Sequence, residues 1–79
     1  MNTELLVKMA NEISMFFASD SAPTQAANDV ATHLRRFWEP RMRRQIVAHY
    51  EEHHGEGLTD LARQAVALLA AQSKSSNPA

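Results

Sequence analysis

The string with the most chemical potential in this 79-residue chain is His49-Tyr50-Glu51-Glu52-His53. It matches the H-x-x-E-H arrangement found on the zinc-binding helix of one group of metalloproteases. Two His four residues apart share a helical face and could both reach a Zn²⁺. A catalytic zinc also needs a third protein ligand, held by its own supporting shell. After His53 the nearby acids are Glu56, in the adjacent turn, and Asp60, at the expected start of the next helix. Neither is well placed to close such a site. The plainer reading carries more weight: two amphipathic His rings cover the end of a small core and stay partly wet.

Other catalytic patterns fail sooner. The chain has no Cys, which removes thiolate nucleophiles, thiolate metal sites and disulfides. Its Ser residues fall in the first helix, in loops and in the tail, none within a G-x-S-x-G turn. There is no Gly-rich phosphate loop and no dinucleotide fingerprint. So short a chain leaves little room for a ligand pocket of about 300 Å³ or more unless a partner completes it. The expectation is a protein that is not itself an enzyme.

The next concentration of chemistry is His33-Leu34-Arg35-Arg36-Phe37-Trp38-Glu39-Pro40-Arg41-Met42-Arg43-Arg44, with the only Trp. Residues 35–44 carry five Arg against Glu39, whereas the segments on either side are acidic and the whole chain has a net charge of −1. A basic band between acidic flanks suits a specific contact better than a general pull toward nucleic acid or an anionic membrane. All five cations are Arg, whose planar guanidinium pairs with carboxylates through two hydrogen bonds at once. Arg and Trp are also enriched where protein interfaces concentrate binding energy. The candidate partner-binding residues are therefore Arg35, Arg36, Trp38, Pro40, Arg41 and Arg43. Leu34 and Trp38 fall on the apolar side of their helix, so burial competes with contact for both. A helix-turn-helix reading would place Arg41, Arg43 and Arg44 at the start of a recognition helix. Pro40 follows the aromatic pair too closely for the usual three- or four-residue turn. A free-standing helical adaptor or a nucleic-acid-binding module is thus the alternative.

The elements that must position these residues read as helices throughout. The composition is rich in Ala, Leu, Met, Glu and Arg, and no alternating strand pattern is sustained. A first helix is expected from about Thr3 to Ala18, capped by Asn2 or Thr3. Its stripe is Leu6, Met9, Ala10, Ile13, Phe16 and Phe17, widened by Leu5; Lys8, Asn11, Glu12 and Ser14 form its polar face, and Met15 points away. The second helix starts at Pro23 and reaches about Phe37, with Ala27, Val30, Ala31, Leu34 and Trp38 on one face and Phe37 at its edge. Glu39 is driven out of the α region by Pro40, which suits the first position of a third helix running to about His53. Met42, Ile46, His49, Tyr50 and His53 share one side of it. Gly55 is a natural left-handed cap, and Thr59 opens a fourth helix built on Leu61, Ala65, Val66, Leu68 and Leu69. The fold class is all-α: a compact bundle of four short helices in one domain, 1–72, followed by a disordered tail, 73–79. Helices one and two should pair antiparallel, with helix three turned sharply at Pro40 and helix four packed across. With no long apolar run and no signal-peptide pattern, the expected location is the cytoplasm, with no membrane span.

These strings together resemble a known family, the delta subunit of soluble, NAD-dependent, molybdenum-containing formate dehydrogenases. The similarity opens with Leu5-Leu6-Val7-Lys8-Met9-Ala10-Asn11-Glu12-Ile13 and Phe16-Phe17. It is most specific over residues 33–43 and closes with His49, Gly57-Leu58 and the Ala/Leu-rich last helix. The family pattern usually has Asp at the position of Glu39, and often Asp-Pro at that of Thr59-Asp60. The resemblance implies an accessory subunit with no catalytic, cofactor or metal site of its own. Its partners would be the alpha subunit, which oxidises formate on a bis-molybdopterin guanine dinucleotide with iron–sulfur clusters, and through it the beta and gamma subunits that carry electrons to FMN and NAD. Its role would be to bind and stabilise the alpha subunit or to aid its maturation.

Overall fold

The computed structural model describes residues 2–75, with side chains through Gln72. Four helices follow in order: α1 (Thr3–Asp20), α2 (Pro23–Phe37), α3 (Pro40–His53) and α4 (Asp60–Ser75), and no strand occurs among the described residues. The start signals are those the sequence carries. Asn2 holds extended backbone, and its side-chain oxygen accepts the Glu4 N–H at 2.7 Å, satisfying one of the donors a helix start leaves open. Pro23 and Pro40 occupy the first turns of α2 and α3, where a missing N–H costs nothing. The Thr59 hydroxyl accepts the Ala62 N–H at 3.3 Å at the start of α4. The disordered tail expected over 73–79 falls, from residue 76, outside the described residues, and α4 is drawn through Ser75.

The core is written in rows four residues apart. Leu6, Ala10 and Ser14 form the row of α1, Ala26, Val30 and Leu34 with Trp38 that of α2, and Ala62, Val66 and Ala70 that of α4. Such rows are the ridges by which helices interdigitate. Small residues on them allow close backbone approach; α1 packs on α2, and the broadest contact in the bundle is α2 against α4. Ile46 of α3 and Leu58 of the last loop complete the centre. The Cα radius of gyration is 11.6 Å, against roughly 12 Å for a compact chain of this length.

Several side chains depart from the sequence expectation, among them Leu5, expected to widen the stripe of α1 but 45 % exposed. Ser14, assigned to the polar face, is 1 % exposed, its hydroxyl donating to the Ala10 carbonyl at 2.8 Å. That bond within the helix satisfies the hydroxyl, so burial costs little. Phe16, assigned to the stripe, is 64 % exposed. It lies about 200° round the helix from Ser14, so a face centred on the Leu6–Ala10–Ser14 row turns it out. In α2 Ala26 is buried along with Ala31, whereas Ala27, assigned to the apolar face, is only half-buried.

Candidate functional site

The corner between α2 and α3 is made by two extended residues. Trp38 (φ −84, ψ 141) donates its N–H to the Leu34 carbonyl at 3.0 Å, and Glu39 (φ −66, ψ 152) leads into Pro40. The Glu39 carbonyl then accepts the Arg43 N–H at 3.0 Å. Trp38 is 6 % exposed and belongs to the core cluster, with Met42 packed half-buried against that cluster. Of the six candidate contact residues it is thus the one that serves from within, by pinning the corner. Phe37, expected at the edge of the apolar face of the second helix, is 70 % exposed and leans on His33, at 4.7 Å between ring centroids.

The guanidinium groups divide into two sets. Arg43 donates from Nη1 to the Arg35 carbonyl at 2.9 Å. That carbonyl is among the last four of α2, which no helical N–H can reach, so Arg43 caps α2 from α3. Arg35 donates from Nη1 to Oε1 of Gln72 at 2.7 Å, tying the end of α2 to α4. Arg36, Arg41 and Arg44 are exposed and make no hydrogen bond or ion pair among the described residues. The corner therefore spends two Arg on its own geometry and offers three outward.

Arg35, Arg43 and Arg44 are the cations that line a half-open groove of about 580 Å³. Its floor is Pro40, Val47, Ala48 and Leu69, with Glu51 and Gln72 also lining it. The sequence expectation of no ligand-sized hollow is corrected in volume; the hollow is a surface groove between α3 and α4. Arg36 and Arg41 are not brought into it. Arg44, which is not among the six candidates, also lines the groove and caps nothing. Its signal was the position three residues after Arg41, next to Arg43, on the outward side of α3.

The His pair is placed differently from a metal site. Nε2 of His49 lies 2.7 Å from the Glu56 carbonyl oxygen. A carbonyl only accepts, so this nitrogen carries the proton and donates, and it is spent on the loop. The His49 and His53 rings are 5.7 Å apart between centroids, and His53 is exposed. Among the described residues no three His, Cys, Asp or Glu side chains converge as metal ligands.

Two further features were not legible in advance. Asn11, assigned to a polar face, clamps the 54–59 loop: its Nδ2 donates to the Gly57 carbonyl at 3.0 Å, and its Oδ1 accepts the Thr59 N–H at 2.9 Å. A row of rings also crosses the outside of α1 and α2, with Phe16–Phe17 at 5.3 Å, Phe17–His33 at 5.8 Å and His33–Phe37 beyond. Ile13, Phe16, Phe17 and His33 line a shallow apolar hollow there.

Among the described residues the chain is helical, with an arginine-faced corner, and His49, Ser14 and Ser21 are engaged in hydrogen bonds of their own. A family model for the delta subunit of NADH-dependent formate dehydrogenase, FdsD, matches residues 5–66, and the chain belongs to that family. Neither the curated proteins nor the solved structures compared with it give a match. The matched span takes in α1, α2, α3 and the first part of α4, and so contains the whole corner. No helix among the described residues is long and apolar enough to cross a membrane.

Proposed function

We propose that this delta subunit performs no chemical step and acts by docking its arginine corner on an acidic surface of the catalytic alpha subunit. The docking either holds that subunit in the assembled cytoplasmic complex or attends its maturation. Formate oxidation, with the molybdopterin, iron–sulfur, FMN and NAD groups, then belongs to the other subunits. This chain lacks Cys and so has no thiolate to offer a cluster. The observation that supports docking is the set of three exposed guanidinium groups, Arg36, Arg41 and Arg44, with no internal partner among the described residues, beside a corner fixed by Trp38 and Pro40. The fixed corner backbone loses little entropy on binding, so the ordering cost falls on the three Arg side chains, and charge complementarity gives partner choice.

The test is co-expression of the tagged chain with the other formate dehydrogenase subunits, comparing wild type with Arg36→Glu/Arg41→Glu/Arg44→Glu. Arg43 is left intact because it caps α2. The triple variant should melt within a few degrees of wild type and retain at most a tenth of the alpha subunit. Undiminished retention of alpha by a folded triple variant would refute the docking role. Recovery of the wild-type chain with cofactor-loaded enzyme points to the assembled complex. Recovery with cofactor-free alpha subunit alone points to maturation.

A further inference from the structure

Resting on that docking role, we infer that the groove between α3 and α4 receives an acidic segment of another formate dehydrogenase subunit, seating one apolar side chain between carboxylates. Two properties of the groove select this chemistry together. The floor is apolar, formed by Pro40, Val47, Ala48 and Leu69, and stands open at about 580 Å³. Covering it with an apolar side chain removes that surface from water. The rim carries Arg35, Arg43 and Arg44. Filling the groove strips water from these cations, which is costly unless anions replace it. A purely apolar segment leaves the rim uncompensated, and a purely acidic one leaves the floor wet.

The rim is also ordered before anything binds. Arg35 is tied to Gln72, and Arg43 to the Arg35 carbonyl, each through one nitrogen. A guanidinium has five N–H donors in a fixed fork, so both keep donors for a carboxylate while their positions are already set. Arg44 is uncommitted among the described residues.

The chain's lack of Cys makes a single introduced thiol a unique reporter. Ala48→Cys places it on the floor with little change in volume. In the full chain assembled with its co-expressed subunits, maleimide labelling of this Cys should slow at least tenfold relative to the isolated chain. A maleimide–diazirine cross-linker at the same Cys should map to one segment of another subunit bearing an apolar residue flanked by Asp or Glu. Ala48→Glu, which sets a carboxylate on the floor, should cut retention at least tenfold with an unchanged melting temperature. Several results overturn the inference: unslowed labelling in a complex that retains the chain, Ala48→Glu retained at the wild-type level, or cross-links only to residues 76–79 of the same chain or to a second copy. Each of these leaves the docking role standing. Failure of the wild-type chain to co-purify at all removes both.

Discussion

Between α2 and α3 the chain turns on two residues, Trp38 and Glu39; between α3 and α4 it takes six, 54–59. Both links leave a helix through extended or left-handed backbone, and both have polar side chains on or beside them. They use those side chains in opposite ways. The longer link is bound from several directions. Arg63 donates to the His54 carbonyl at 3.2 Å and to the Leu58 carbonyl at 3.3 Å, and pairs with Asp60 at 3.3 Å. Asn11 and His49 hold Gly57, Thr59 and Glu56. The short corner is fixed mainly by the buried Trp38 and the ring of Pro40, with Arg43 and Arg35 as its two polar clamps. Because it needs so few polar groups for itself, Arg36, Arg41 and Arg44 stay available. The three Arg that the local backbone does not use are the ones proposed above to dock.

The comparison is broken most severely by removing the apolar pin. Trp38→Ala should cost about 3–5 kcal/mol, a large share of the roughly 5–15 kcal/mol that stabilises a domain. Urea unfolding should show the variant largely unfolded at 25 °C or shifted to a much lower midpoint, and association should be lost with the fold. An unfolding midpoint near wild type would mean that Trp38 does not fix the corner.

The longer link should respond in stability alone. Gly55 sits at φ +69, and an added Cβ would come within 3.0 Å of the Leu58 side chain. Gly55→Ala should therefore destabilise by about 1–3 kcal/mol, from the left-handed backbone and the contact together. Retention of the alpha subunit by the folded fraction should be unchanged. The left-handed cap of α3 is nevertheless His54, at φ 58, so His54→Gly should be neutral or slightly stabilising in the same measurement. A loss of association by folded Gly55→Ala would place the loop in the interface and erase the contrast.

How much of this could be read from the residues follows from how far each determinant reaches. The helix limits were legible because Asn2, Pro23, Pro40 and Thr59 act on their own backbone. The cap of α3 was displaced by one residue, since Gly55 and Gly57 also take positive φ and the chain needed a run of such positions. Helical faces were less legible. Ser14 and Phe16 exchange roles because α1 meets all three other helices, and the face that fits them is the small-residue row rather than the most apolar one. Arg35, Arg43 and Asn11 were hardest to assign. Their partners, Gln72, the Arg35 carbonyl and the 54–59 loop, become neighbours only once the bundle is packed.

The smallest expected effect sharpens the comparison at the corner itself. Glu39 occupies the N-cap position of α3, yet its side chain makes no cap hydrogen bond. The extra methylene of Glu carries the carboxylate past the first-turn N–H groups, whereas Asp is among the best N-cap residues. Glu39→Asp should stabilise by about 0.5–1 kcal/mol, which for a domain of this size is a rise of a few degrees in melting temperature. Glu39→Asn, which caps without charge, should give a similar gain if the hydrogen bond is its source. The two differ in what they leave among the neighbouring Arg: Asp keeps one carboxylate in the cationic corner, and Asn removes it. If the corner binds an acidic surface, Glu39→Asn should retain the alpha subunit at least as well as Glu39→Asp. Weaker retention with Asn would mean that Glu39 meets a cation on the partner, and the corner would then be a mixed-charge contact rather than a purely arginine one.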